Sequence, residues 1–305
     1  MSVSKGKFPD SLDPVFAAIM KEPFEGEAPD IRNELFGVEK STKSEERVSS
    51  ISGLPKPSRF TGTLSYSSPD QGFDVTATHV TVAMGVQITR EMWDDDQHGE
   101  IHDIFSGFRD AFHEGRMDDA ADILNQSFTA NPLDFYNHTE NVALCSNSHT
   151  TPSSGVSTSS GFDNLSTAAL SATALAADRY TMRLFNNFKG FPIDKVPNLL
   201  IVPVELEDEA LKIVQTRAGL DTAAGDANIQ AGRYRVFGST RFSDSNNWWT
   251  ANRELLKKSL RWYDRVPFET DRMESFDQFN FKGRGYERYS YLWLFWQALL
   301  GHQVS

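Results

Sequence analysis

Cysteine is almost missing, since Cys145 is the only one in 305 residues. No intramolecular disulfide can form, a four-ligand zinc site built mainly of cysteines is excluded, and a reducing, intracellular origin fits. Long apolar runs are missing too. The longest, Tyr291 to Leu300, is about half the roughly 20 residues that a membrane-spanning helix needs. The start, Met1 to Asp10, is polar and carries Lys5, Lys7 and Pro9 where a secretion signal needs an apolar stretch. Neither secretion nor a membrane segment is expected. Positive charge is scarce: 30 Lys and Arg stand against 42 Asp and Glu, a net charge of −12, with no basic cluster. Proteins that read nucleic-acid sequence gain most of their affinity by replacing phosphate counterions with Lys and Arg, so that class is excluded. No Gly-x-x-x-x-Gly-Lys phosphate loop occurs, and Gly283-Arg-Gly285 lacks the third glycine of a dinucleotide fingerprint.

What is present suits a folded protein of more than one lobe. Hydrophobic content of 39% and charged content of 24% lie near the averages for globular chains, and 305 residues exceed what a single core usually serves. From Met1 to about Gly53 the chain is charged and interrupted by Pro9, Pro14, Pro23 and Pro29, with apolar patches only at Val15–Met20 and Ile31–Val38. It reads as an extended arm whose patches need another surface, one that a neighbouring molecule could supply. Between Pro57 and Val82, β-formers (Phe60 to Tyr66, then Phe73 to Val82) flank the turn-rich Ser67-Ser-Pro-Asp-Gln-Gly72, which predicts a long hairpin. Two strands alone have no core, so this hairpin too needs a partner.

Asp94-Asp-Asp96 then precedes apolar residues at Ile101, Ile104, Phe105, Phe108 and Phe112, one buried face of a helix that Gly115 interrupts or closes and that Met117 to Phe128 continue. Ser146 to Ser166 is dominated by Ser, Thr, Gly and Asn and reads as a surface loop. Ser166 is positioned to cap a helix running to about Lys189. Asn198-Leu-Leu-Ile-Val-Pro203 predicts a short buried strand, followed by a helix over Glu205–Gln215 and a second loop from Ala218 to Gln230. Further strands are expected at Arg233–Gly238, Trp248–Ala251 and Ser259–Tyr263. In the final strand, Tyr289, Tyr291, Trp293 and Phe295 alternate with Leu292, Leu294 and Trp296, so both of its faces should be buried.

Several segments, in order, carry a resemblance. They are Ser41-Thr-Lys-Ser-Glu-Glu46 leading to Gly53-Leu-Pro55, Gly85-Val-Gln-Ile-Thr-Arg-Glu-Met92, Leu144-Cys-Ser-Asn-Ser-His149, and Pro197-Asn-Leu-Leu-Ile-Val-Pro203 before Glu205-Leu-Glu-Asp-Glu-Ala210. An aromatic block of Trp248-Trp249, Trp262 and Gly285-Tyr286 follows. From about residue 31 onward the chain resembles the major head subunits of Mu-like tailed phages, whose fold is the α+β Hong Kong 97-type capsid fold. The resemblance implies an N-terminal arm over 1–56, an E-loop hairpin over 57–90 and a peripheral domain with a long spine helix over 91–160. It further implies an axial domain over 161–265 and a return to the peripheral domain over 266–305. It also implies a subunit that assembles with itself into hexamers and pentamers of an icosahedral virion shell and encloses double-stranded DNA without reading its sequence. A portal protein at one vertex, a separate scaffolding protein (no scaffolding segment fits before the arm) and a decoration or cement protein are the implied partners. No catalysis, cofactor or metal is implied. Phe60, Leu64, Tyr66, Phe73 and Val75 of the hairpin, with Trp248 and Trp249, are the residues expected at subunit contacts.

Residues with catalytic potential weigh less. His98-Gly-Glu-Ile-His102 puts two histidines on one helix face, but Gly99 and Ile101 stand where zinc-protease patterns need Glu, so an acid-rich helix start is preferred. Cys145 and His149 lack a visible third group, and Ser157 in Gly155-Val-Ser-Thr-Ser159 lacks the second glycine of a nucleophile elbow. Two rival readings stay open: a cargo-enclosing shell of the encapsulin kind, and a metal-dependent hydrolase built around Asp94 to Asp103.

Overall fold

The computed structural model describes residues 8–20, 30–57, 59–60, 62–64, 66–95, 99–216, 228–275 and 280–305. In chain order it contains α1 (Phe8–Ile19), α2 (Ile31–Leu35), β1 (Gly37–Lys40), β2 (Glu45–Ile51), β3 (Gln71–Thr78) and β4 (Val80–Thr89). Then come α3 (Arg90–Asp95), α4 (Glu100–Asn125), β5 (Tyr136–His138), β6 (Leu165–Ser166), α5 (Ala172–Arg183), β7 (Leu199–Pro203) and α6 (Glu207–Gln215). The last third holds β8 (Arg235–Ser239), β9 (Trp248–Ala251), α7 (Arg253–Ser259), β10 (Leu260–Ser275), β11 (Asn280–Trp293) and β12 (Leu299–His302). The class is α+β, as expected.

Three sheets organise the chain. The first has the order β1-β10-β11-β4, the second β6-β12-β9-β7-β8, and the third β2-β3-β5. The long helix α4, 26 residues and about 39 Å, lies on the first sheet. Its apolar spacing explains this: Ile101, Phe105, Phe108 and Phe112 are buried together with Ile88 of β4 and Phe281 of β11. Gly115 does not interrupt it. The helical hydrogen bonds run through that residue, and Met117, Ala120, Ala121 and Leu124 carry the buried face into the next cluster. β11 approaches α4 so closely that a Cβ at Gly285 would fall 2.6 Å from the Phe112 ring.

The arm is not left for a neighbour alone. Phe16 and Ile19 of α1 are buried on this chain's own helix, the Phe16 ring 4.9 Å from that of Phe105 and 5.9 Å from that of Phe281. Three mutually edge-on rings hide more apolar surface than the charged arm could hide by itself.

The second sheet is centred on β7, whose five residues are all buried. Leu199 and Ile201 share one core with Trp249, whereas Leu200 and Val202 pack with Trp248 under α5 and α6. This period of two, apolar on both sides, is the expected pattern of a covered parallel pair. β12 pairs with β9 and β6 in this sheet, so the chain's last strand leaves the long β10–β11 ribbon instead of staying with it. α5 is shorter than its sequence suggested and is capped by Ser171, not Ser166; the Ser171 hydroxyl accepts from the Ala174 N–H at 3.0 Å. Ser171→Ala should cost about 1 kcal/mol in urea unfolding by leaving that N–H without a partner.

The hairpin has a different first strand from the one expected. β3 pairs antiparallel with β2, Val75 opposite Val48, and its other edge pairs with β5. Phe60 to Tyr66 form no strand among the described residues. They belong to the long connection between β2 and β3.

Candidate functional site

The connection from Ser52 to Asp70 is closed at its base and open beyond it. The Ser52 N–H donates to the Asp70 carbonyl at 3.1 Å, the Asp70 N–H donates to the Ser52 hydroxyl at 3.0 Å, and Lys189 Nζ meets the Asp70 carboxylate at 2.6 Å. The Lys189 hydrogen bond holds the Asp70 carboxyl below its ordinary range. Ile51, just before this clamp, and Leu54, Phe60, Leu64 and Tyr66 beyond it are 68, 60, 67, 68 and 92% exposed. Five large apolar side chains exposed within sixteen residues exceed the scattered single apolar residues of an ordinary surface. Lys56 touches back, its Nζ 4.6 Å from the centroid of the Phe191 ring.

The expected contact residues therefore divide. Phe60, Leu64 and Tyr66 are free to meet a neighbour. Phe73 is half-buried, with its ring 5.7 Å from His138 and 5.8 Å from Phe188, and Val75 is buried under the third sheet. Trp248 and Trp249 have no surface left for another subunit: they are 0 and 1% exposed. β9 lies inside the second sheet, so both of its faces are core. Trp248 stacks on His302 at 3.6 Å and 8°, and Trp249 donates from Nε1 to Ser127 Oγ at 3.1 Å. Ile51 and Leu54 belong to the exposed set and were passed over because they precede the β-forming run.

Cys145 and His149 are held in buried contacts. Burial pushes the Cys145 thiol up to about 12, so it is not a thiolate nucleophile. His149 faces Glu140 Oε1 at 3.2 Å and Asn164 Oδ1 at 3.1 Å, and it stacks on Trp296. Asn164 in turn donates to the carbonyls of Leu144 and Leu299. The Ser/Thr-rich segment is thus pinned to the chain's C-terminal strand by buried polar groups and is more than a surface loop. The Ser157 hydroxyl meets the Ser159 hydroxyl at 2.9 Å and accepts from the Ser159 N–H at 3.4 Å. His102 is exposed beside Asp103, and His98 lies outside the described residues, as does most of the expected loop from Ala218 to Gln230. Among the described residues no group of three or more His, Cys, Asp or Glu is placed to hold a metal ion. No helix among them is long and apolar enough to cross a membrane.

A family model described as phage capsid protein matches residues 73–300. This chain belongs to the phage capsid protein family. The matched span runs from β3 to β12 and includes α4 and most of the three sheets. Solved structures share the fold at low identity. The capsid of the cyanophage P-SCSP1u is 10% identical with a TM-score of 0.61, covering 93% of this chain and 92% of that one. The capsid of a native GTA particle is 12% identical with a TM-score of 0.59, covering 93 and 95%. The mature capsid of bacteriophage PhiM1 is 13% identical with a TM-score of 0.57, covering 93 and 91%. No curated protein matches the sequence. Against this background the segment from Ile51 to Tyr66 carries the densest run of exposed large apolar side chains among the described residues.

Proposed function

We propose that this capsid protein is the major head subunit of a tailed bacteriophage, of the Hong Kong 97-type, and that it assembles with itself into the hexamers and pentamers of an icosahedral shell around double-stranded DNA. The observation that carries the reading is the clamped base and exposed apolar length of the β2–β3 connection in a chain of this family. On this reading β2, β3 and their connection are the E-loop, α4 is the spine of the peripheral domain, and the second sheet with α5 and α6 is the axial domain. The subunit works by binding its own copies and catalyses no reaction. A portal protein at one vertex, a separate scaffolding protein and a decoration or cement protein complete the proposed set of partners.

The net charge of −12 fits a wall that contains DNA without gripping it. Electron microscopy of the chain expressed alone and with its neighbouring genes tests the proposal. Closed particles with icosahedral symmetry are expected in at least the second preparation. Monomers alone in both would refute it, and particles that load an enzyme instead of DNA would favour the encapsulin-like alternative.

A further inference from the structure

α5 has two unlike sides. Ala174, Leu175, Asp178 and Met182 turn inward, while Arg179, Tyr180 and Arg183 form the opposite stripe at helical spacing. Leu184, Pro192 and Asp194 wall the far side and leave an open groove of about 620 Å³. Tyr180 is 70% exposed and Leu184 44%, so both present apolar surface to the groove they line. Its charge is net positive: two guanidinium groups face one carboxylate, Asp194, which Arg183 already holds at 2.6 Å.

The start of α6 offers the complement. Val204 is an exposed apolar side chain, and Glu205, Asp208 and Glu209 around it are exposed carboxylates. Acidic residues in a first helical turn are favoured locally by the helix dipole. That accounts for the carboxylates but not for an uncovered valine among them, nor for a groove of opposite charge elsewhere on the domain.

The two features lie on different helices of one layer. α5 packs by β12 and α6 by β8 and β7, in a sheet ordered β6-β12-β9-β7-β8, and both helices share a core on the same face of that sheet. Among the described residues no hydrogen bond or ion pair joins the two patches within one subunit, and Arg183 turns to Asp194 instead. The two patches are satisfied by a second copy, head to tail, and such contacts close into rings when the rotation between copies allows. We infer that the α5 groove of one capsid subunit receives the Val204–Glu209 turn of the next copy, with Val204 against Tyr180 and Leu184 and the carboxylates against Arg179 and Arg183. The inference rests on the shell-subunit reading above and names a pairing inside it.

Charge exchange tests it. In the co-expression that gives wild-type shells, Arg179→Glu with Arg183→Glu should raise the subunit concentration needed for assembly about tenfold or more. Glu205→Arg with Glu209→Arg should do the same. The chain carrying all four changes should regain shells, because the attraction is restored with its sign reversed. Circular dichroism and urea midpoints check that each variant is folded, and all are made in the full chain. Normal assembly by either double variant overturns the pairing, as does failure of a folded four-fold variant to assemble. If the wild-type chain itself forms no shells, the proposed function fails instead, which separates the two outcomes.

Discussion

Replacing residues 54–66 by a short Gly-Ser turn is expected to leave a folded subunit that closes no shells. The replacement spares the β2–β3 pairing from Glu45 to Ile51 and the Ser52–Asp70–Lys189 clamp. The deleted side chains Leu54, Phe60, Leu64 and Tyr66 are exposed, so they contribute little to the subunit's own stability. The described contact forfeited is Lys56 over Phe191, worth up to about 1 kcal/mol, and the shorter connection recovers part of that in closure entropy. In a shell each of those four side chains would gain roughly 2 kcal/mol on being covered by a neighbour. Losing them at every repeated contact leaves association too weak to close. Urea unfolding should therefore shift by less than about 1 kcal/mol while closed particles vanish from micrographs. Particles at wild-type yield would remove the segment from the assembly interface.

The parts of this fold that could be read from the sequence are those whose burial repeats with a short period. Leu199 to Pro203 reads as a strand because every side is apolar, and Ile101 to Phe112 reads as a helix because one face is. Pairing between distant segments could not be read in the same way. β2, Glu45-Glu-Arg-Val-Ser-Ser-Ile51, is charged and was assigned to the arm. Its alternation places Glu46 and Val48 against the molecule and leaves Glu45 and Arg47 outside. Phe60 to Tyr66, by contrast, has strand-forming residues but no partner strand among the described residues, since β-propensity measures fit to a pleated neighbour more than a backbone preference.

The contact residues show the same division. Exposed aromatics in the β2–β3 connection were picked out because β-formers beside a turn-rich segment predict a hairpin with no core of its own. Trp248 and Trp249 were misplaced because a Trp pair looks alike at an interface and in a two-faced core. Only the position of β9 between β12 and β7 decides the matter. The buried polar groups were missed altogether. His302 Nε2 meets Asp178 at 2.9 Å across 124 residues of chain, and three histidines, His138, His149 and His302, each stack on a tryptophan. No local signal marks such pairs. They fasten β9, β11 and the C-terminal strand to segments far away in sequence, and each holds a polar ring where an apolar one would leave its partner unsatisfied.

Glu287→Gln is expected to stabilise the subunit by about 3 kcal/mol at pH 8 and by almost nothing near pH 4.5. Glu287 lies on β11 beneath α4 and is 2% exposed, with Oε2 3.6 Å from Arg116 Nε and Oε1 without a hydrogen-bond partner. Burial pushes its carboxyl from the ordinary 4.5 up to about 7, against the pull of Arg116 and Arg32 and with the help of Asp264 and Asp119. The folded-state value is thus the raised one. Between pH 4.5 and 7 the unfolded chain has released this proton while the folded chain keeps it, so the contribution is present in full below 4.5 and is lost as pH rises through 7. The wild-type profile alone does not isolate it, because burial holds His138 down to about 4 and its contribution runs the opposite way, rising with pH toward 6.5. Subtracting the variant's profile from the wild-type profile cancels His138 and leaves Glu287 alone. Gln keeps the shape and carries no charge, so Arg116 loses an imperfect partner while the sheet loses a buried anion. Urea unfolding of the unassembled subunit at intervals from pH 4.5 to 8 gives the difference directly. A flat difference, or a variant less stable at pH 8, would mean that Arg116 and Arg32 neutralise the carboxylate fully and that the junction between α4 and the first sheet tolerates its charge.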